Sequence, residues 1–348
     1  MKRLIVGLLI GLGCLYWFLH NTDWQALQQV LSTVRIGWIA LAVCILVLEF
    51  GIRAVRWKII LRSLAPSLPL IDLFRAQVIG ASANTLLPLR LGELIKPTIV
   101  CNRSGLAFLP VMSTAIMERV YDLLGMVSVL VFMVLFLQPD LSPPPEQQIL
   151  IDNLQLYGGI FGIIAVVAMG IFFALASQRT ATRHIFQQIT SIAPTPIQRF
   201  FMRLFDGFVE GLGNSTDTKG IWQAGLLSVG MWLNGALAIF CLFQAFGLTL
   251  PFGAACFIAV AIALTVALPQ APGFVGVFHL AIQSTLLLWG QDPSVAQGFA
   301  LVFWAVSFIP VTLLGIGMGL FEPLDWKGIS ALRFDDESPT PPKTTEAT

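Results

Sequence analysis

Hydrophobic runs of two lengths alternate along this chain, separated by polar connectors. Long runs at 36–62, 108–137, 154–176, 221–246 and 295–320 reach the roughly 20 residues that a helix needs to cross a bilayer. Each predicts a membrane-spanning helix. A shorter run at 4–19 follows Lys2 and Arg3 and carries Tyr16 and Trp17 near its end. It reads as a retained signal-anchor whose aromatic residues sit at the interface. The remaining runs are short and paired: 70–87 with 92–101, and 252–268 with 273–289. Each member is brief for a crossing, so each pair predicts a broken or re-entrant helix pair. Two full crossings per pair would leave the same topology, and that choice stays open. Two stretches have apolar residues on one helical face only. They are 23–34, with Trp24, Leu27, Val30 and Leu31, and 197–212, with Phe200, Phe201, Leu204, Phe205 and Phe208. Both predict helices lying on the membrane surface.

The interruptions share a signature. Leu87-Pro88 is followed by Gly92, and Leu268-Pro269 by Gly273. Proline removes a backbone donor and clashes with the preceding turn, so Pro88, Gly92, Pro269, Pro272, Gly273 and Gly276 are the predicted helix breaks. Around each break the same elements recur: a span, an amphipathic segment, a second span, the broken pair and a closing span. The chain thus divides into a first half, 1–137, and a second half, 154–325, joined by a loop at 138–153 that is rich in proline. The second half contains a basic inner loop, 177–220, and residues 326–348 form a disordered tail. Each half makes an odd number of crossings, so the halves are inverted relative to each other. That is the layout of secondary transporters, in which interrupted helices mark the site near the midplane. Among the 20 Lys and Arg residues only Arg35 falls in the segments assigned outside. Both termini are therefore expected in the cytoplasm.

Composition agrees with this class. Of the 348 residues 56% are apolar and 11% charged, and the mean hydropathy is +0.82. A soluble domain carries about 25% charged residues. The fold class expected is an all-α, polytopic integral membrane protein. The five cysteines and three histidines show no metal or redox spacing, so no metal and no cofactor are called for. No nucleotide-binding motif is present, and nothing suggests nucleic acid as a partner.

The few charges within the apolar runs are the candidate chemistry, because a charge at membrane depth is costly. Asn84, Arg90, Glu93 and Lys96 surround the first break. Glu49, Arg53 and Arg56 share a helical face, and line a polar cavity or anchor a helix end. Glu118, Arg119 and Asp122 form one cluster or a structural ion pair, with Arg119 the member whose loss is expected to cost most. Arg90 and Glu93 either pair permanently or part when a phosphate binds Arg90. The second break has no such charges, only His279 nearby, so it is expected to supply an apolar face.

These residues carry a resemblance. Asn84, Pro88, Arg90, Gly92 and Glu93 give Asn-x-x-x-Pro-x-Arg-x-Gly-Glu; Glu118, Arg119 and Asp122 give Glu-Arg-x-x-Asp; Pro272, Gly273 and Gly276 give Pro-Gly-x-x-Gly. With Arg53-x-x-Arg56-Trp57, the chain resembles the transmembrane domain of lysylphosphatidylglycerol synthases/flippases and its stand-alone relatives, up to about residue 325. Phe274 and His279 stand where that family often has a glycine and a glutamate. The resemblance implies a lipid flippase, with membrane lipids as partners and a phospholipid or lipid-linked anionic headgroup as cargo. It does not imply lysyl-lipid synthesis, since the soluble transferase domain is absent. Two other classes remain: a membrane-embedded transferase using Glu93, Glu118 and Asp122, or a small-solute secondary transporter.

Overall fold

The computed structural model describes residues 13–18, 20, 22–87, 90–136, 186–188, 190–191, 198, 202, 218–267 and 272–322. The expectations for residues 138–153 and 154–176, most of 177–220, the tail 326–348, and Pro88 and Pro269 themselves lie outside the described residues.

Among the described residues nine principal helices follow in order: α1 (Trp24–Thr33), α2 (Ile36–Ile60), α3 (Leu70–Leu86), α4 (Gly92–Ser104), α5 (Phe108–Phe136), α6 (Thr218–Phe246), α7 (Phe252–Ala267), α8 (Val277–Leu288) and α9 (Pro293–Gly319). No strand occurs among the described residues. Local chemistry sets several ends. The Asp23 carboxylate accepts from the amides of Gln25 and Ala26 at the start of α1, and Asp292 caps α9, where Pro293 opens the first turn. Gly105 ends α4 in the left-handed region at φ 70°, its amide returning to the Cys101 carbonyl.

Among the described residues three helices are long and apolar enough to cross a membrane: Ile36–Ser63, Lys219–Phe246 and Pro293–Gly319. The chain is an integral membrane protein. At 29 residues α5 matches them in length, but Glu118, Arg119 and Asp122 interrupt its apolar sequence. The helices flanking the two interruptions are shorter, at 17 and 13 residues for α3 and α4, and 16 and 12 for α7 and α8. At about 1.5 Å rise per residue, each falls short of the ~30 Å hydrocarbon core. Helix α3 ends two residues before Pro88, with Leu87 already extended. The restarts differ: α4 begins four residues after Pro88 and α8 eight after Pro269. The second interruption is longer because Gly273 at φ 73° and Gly276 at φ 89° turn the chain twice before the helix resumes.

The packed helices α2 and α6 run antiparallel. The Arg35 amide donates to the Ala245 carbonyl at 3.0 Å, Asn234 Nδ2 to the Ile45 carbonyl at 2.9 Å, and Arg56 to Ser228 Oγ at 2.8 Å. Numbers rising along one helix fall along the other. Apolar side chains form two clusters. One joins α6 to α9 with Ala42 of α2; the other joins the end of α2 to α3, α4 and α5 around Trp57.

Candidate functional site

A cleft of about 390 Å³ opens within the bundle. Its walls include Phe50 and Arg53 of α2, Met231 and Trp232 of α6, and Ser307 and Phe308 of α9. These positions lie near the middle of their helices, and the helices are the three candidate spans. The cleft is therefore near half-depth in the bundle.

Its charge is unevenly distributed. Arg53, Arg90, Lys96 and Arg119 line the cleft beside only two carboxylates, Glu93 and Asp122. Every one of these charges comes from residues before 123. Among the described residues the second half supplies Met231, Trp232, Ala263, Phe274, Ser307, Phe308 and Val311, none of them charged. One wall is thus polar and cationic and the other largely apolar and aromatic. Trp232, Phe274 and Phe308 are anchored by packing on the apolar cluster behind them.

The polar wall has two layers. At the cleft surface, Arg119 donates from one nitrogen to both Glu93 oxygens, at 2.9 and 3.0 Å, and from the other to Asp122 at 3.0 Å. Asn84 Nδ2 donates to Glu93 at 3.1 Å. Arg53 is held by Glu49 at 2.7 and 3.0 Å, one helical turn back along α2. The second layer is buried. Glu118 accepts from Lys96 and, at 2.8 Å, from Gln77. Arg56 lies 2.7 Å from Asp122 and 3.7 Å from Glu118. The Lys96 ammonium also sits 4.5 Å from the centre of the Trp57 ring. Charges so buried persist only when paired.

A close backbone approach brings these groups together. A Cβ at Gly92 would lie 1.9 Å from the Gly80 carbonyl and 2.6 Å from Asn84 Oδ1. Only glycine lets α4 fold back against α3, which carries Gln77 and Asn84 up to Lys96 and Glu93. Just before Gly92, Arg90 adopts φ 55°; Phe274, at the second interruption, adopts φ 58°. A left-handed backbone costs a non-glycine residue roughly 1–3 kcal/mol, and such strain clusters at functional sites.

The structure assembles Asn84, Arg90, Glu93, Lys96, Arg53, Arg119 and Asp122 at the cleft, with Arg56 and Glu118 directly behind. Some partners differ from those expected. Glu118 and Arg119, adjacent in sequence, serve different layers, because consecutive helical side chains point about 100° apart. Glu93 is held by Arg119 and Asn84. Burial shifts the expected largest cost in the 118–122 group to Glu118, at 1% exposure, while the Arg119 side chain keeps 48% of its surface. His279 is off the cleft: it is buried, accepts from the Gly276 amide at 3.4 Å and sits against Phe18 and Trp304. Gln77 was not foreseen, although Gln77, Gly80, Ala81 and Asn84 form a small and polar stripe at helical spacing. For Ser228, a lone hydroxyl in an apolar run, no sequence signal exists.

No solved structure matches the chain. A UPF0104 membrane protein of Methanothermobacter thermautotrophicus is 23% identical over 305 residues, which cover 84% of this chain and 86% of the relative. The family model described as the lysylphosphatidylglycerol synthase TM region matches residues 4–315, and the chain belongs to that family.

Proposed function

We propose that this protein is a flippase that moves a phospholipid, or another lipid with an anionic headgroup, across the cytoplasmic membrane. One observation carries the reading: a half-depth cleft in which four cations and two carboxylates face an uncharged aromatic wall. An amphipathic cargo needs both surfaces. Its phosphate would meet the planar donor forks of Arg90 and Arg119, and its apolar part would lie towards Phe274 and Phe308. A family named for the membrane region of a lipid synthase supports the same cargo class.

The inverted-repeat reading is part of this proposal. In an inverted repeat, equivalent helices run in opposite directions, as α2 and α6 do. The neighbours also correspond: α2–α3 with α6–α7, α3–α4 with α7–α8, α4–α5 with α8–α9, α5–α6 with α9–α2, and α3–α9 with α7–α5. The two short pairs, α3–α4 and α7–α8, would be the re-entrant elements. Both termini are assigned to the cytoplasm on the cation distribution. A cysteine at Gln147, in a cysteine-free background, is expected to react with an impermeant thiol reagent from the outer side. Labelling only after the inner face is exposed would reverse the orientation.

The cargo reading is tested by headgroup accessibility in proteoliposomes containing phosphatidylglycerol or a zwitterionic lipid. The protein is expected to expose the anionic headgroup faster than empty vesicles do. Arg90→Gln is expected to slow this by about tenfold or more, and Arg90→Lys to recover only part, since lysine lacks the fork. Full transport by Arg90→Gln at unchanged thermal stability would remove Arg90 from the proposal.

A further inference from the structure

Resting on the reading of the cleft as an anion site, we infer that Glu93 takes up a proton when a phosphodiester monoanion binds, so that headgroup and proton share the cleft. The pivot is Arg119. It lines the cleft, its side chain is half exposed, and it bridges Glu93 to Asp122. A phosphate entering the cleft meets this guanidinium, whose geometry suits two oxygens of one phosphate. The two carboxylates that Arg119 would release are not equally provided for. Asp122 keeps Arg56 beneath it at 2.7 Å. Glu93 keeps the Asn84 amide at 3.1 Å.

The neighbours of Glu93 decide how it responds. From α3 it faces Asn84, from α5 Arg119 with Asp122 behind, and from the turn before its helix Arg90. On its own helix Lys96 is next, but Lys96 is committed to Glu118 and Gln77. Arg53 of α2 is engaged by Glu49. A phosphate on Arg119 therefore puts a negative charge beside a carboxylate that has lost its strongest partner. Desolvation and like charge both favour the protonated acid. The proton comes from water in the cleft; the carboxylate and the proton form a neutral acid, and no other bond changes.

Charge neutrality favours one proton. A monoanion and one proton together add no net charge to the cleft, so loaded and empty protein cross between conformations with equal charge in the low-dielectric interior.

Calorimetric titration of the full chain in detergent with dihexanoyl phosphatidylglycerol, repeated in buffers of different ionisation enthalpy, counts protons per ligand. About one proton is expected to be taken up, with affinity falling about tenfold per unit rise in pH wherever that uptake is measured. In Glu93→Gln, whatever its affinity, uptake and pH dependence are expected to vanish. Dimethyl phosphate, the bare phosphodiester, is the second probe. Lipid binding tighter by about tenfold or more identifies a lipid as ligand, and equal affinity identifies a soluble anion; uptake with the tighter probe upholds the linkage either way. Binding by the unmodified protein without proton uptake overturns the linkage and leaves the anion site standing. Undiminished uptake in Glu93→Gln overturns it as well. Failure to bind either probe overturns the cargo reading and this inference together.

Discussion

Glu118→Ala is expected to be the most destabilising substitution among the charged residues of the bundle. The carboxylate is 1% exposed and pairs with Lys96, receives Gln77 and lies 3.7 Å from Arg56. Removing it leaves the buried Lys96 ammonium with a neutral amide and the Trp57 ring, and leaves Arg56 with Asp122 and Ser228. Breaking a buried ion pair from one side typically costs about 3–5 kcal/mol, because the remaining charge stays in low dielectric. Glu118→Gln keeps the shape and the hydrogen-bonding capacity but not the charge, so its loss is expected to be smaller yet clear. Arg119→Ala is expected to lose less than Glu118→Ala, since the half-exposed Arg119 side chain already shares its charge with water. Thermal unfolding of the three purified variants in one detergent tests the order. If Arg119→Ala melts lowest, the buried layer is not the stabilising one.

Gly92→Ala is expected to cost about 3 kcal/mol, at the upper end of the usual range for overpacking. The obstacle is backbone: the added methyl would lie 1.9 Å from the Gly80 carbonyl, which cannot rotate away as a side chain can. Relief requires α4 to move off α3. That movement would also draw Glu93 away from Asn84 and Lys96 away from Gln77, so the proposed lipid transport is expected to fall together with stability. Gly225→Ala is the control, because a Cβ there meets nothing within 4 Å and α6 is helical throughout. It is expected to match or slightly exceed the parent in stability. Equal melting of Gly92→Ala and the parent would mean that the hairpin is looser than its geometry indicates.

Much of the layout was readable from the sequence. The first broken helix ends at Leu86 and Leu87 is extended, as sterics favour for the residue before a proline. The apolar run lengths delimited α2, α6 and α9 to within a few residues, because a membrane demands continuous hydrophobicity. Which first-half charges gather at the cleft was also legible: an ionisable residue inside an apolar run needs a partner or a role, and these charges do converge. Expectations at 138–176 and in the tail fall outside the described residues.

Partnership was not legible, and the reason is physical. Spacing along one helix reports pairs three or four residues apart, such as Glu49 with Arg53 and Arg119 with Asp122. Lys96 with Glu118, Arg56 with Asp122, and Glu93 with Arg119 join different helices. Their distances depend on how closely α3, α4 and α5 approach, which Gly80 and Gly92 permit without announcing it in the sequence. His279 makes the same point in reverse: its position after a break resembles a site position, yet packing turns the ring towards Phe18 and Trp304. By itself, then, the sequence determined the membrane class, the helix interruptions and the set of charges that must find partners, since hydrophobic length, proline sterics and desolvation act on each segment locally. Only the tertiary structure decided which charge meets which, which layer is buried and which wall of the cleft is apolar, because those depend on interhelical distances that no single segment encodes.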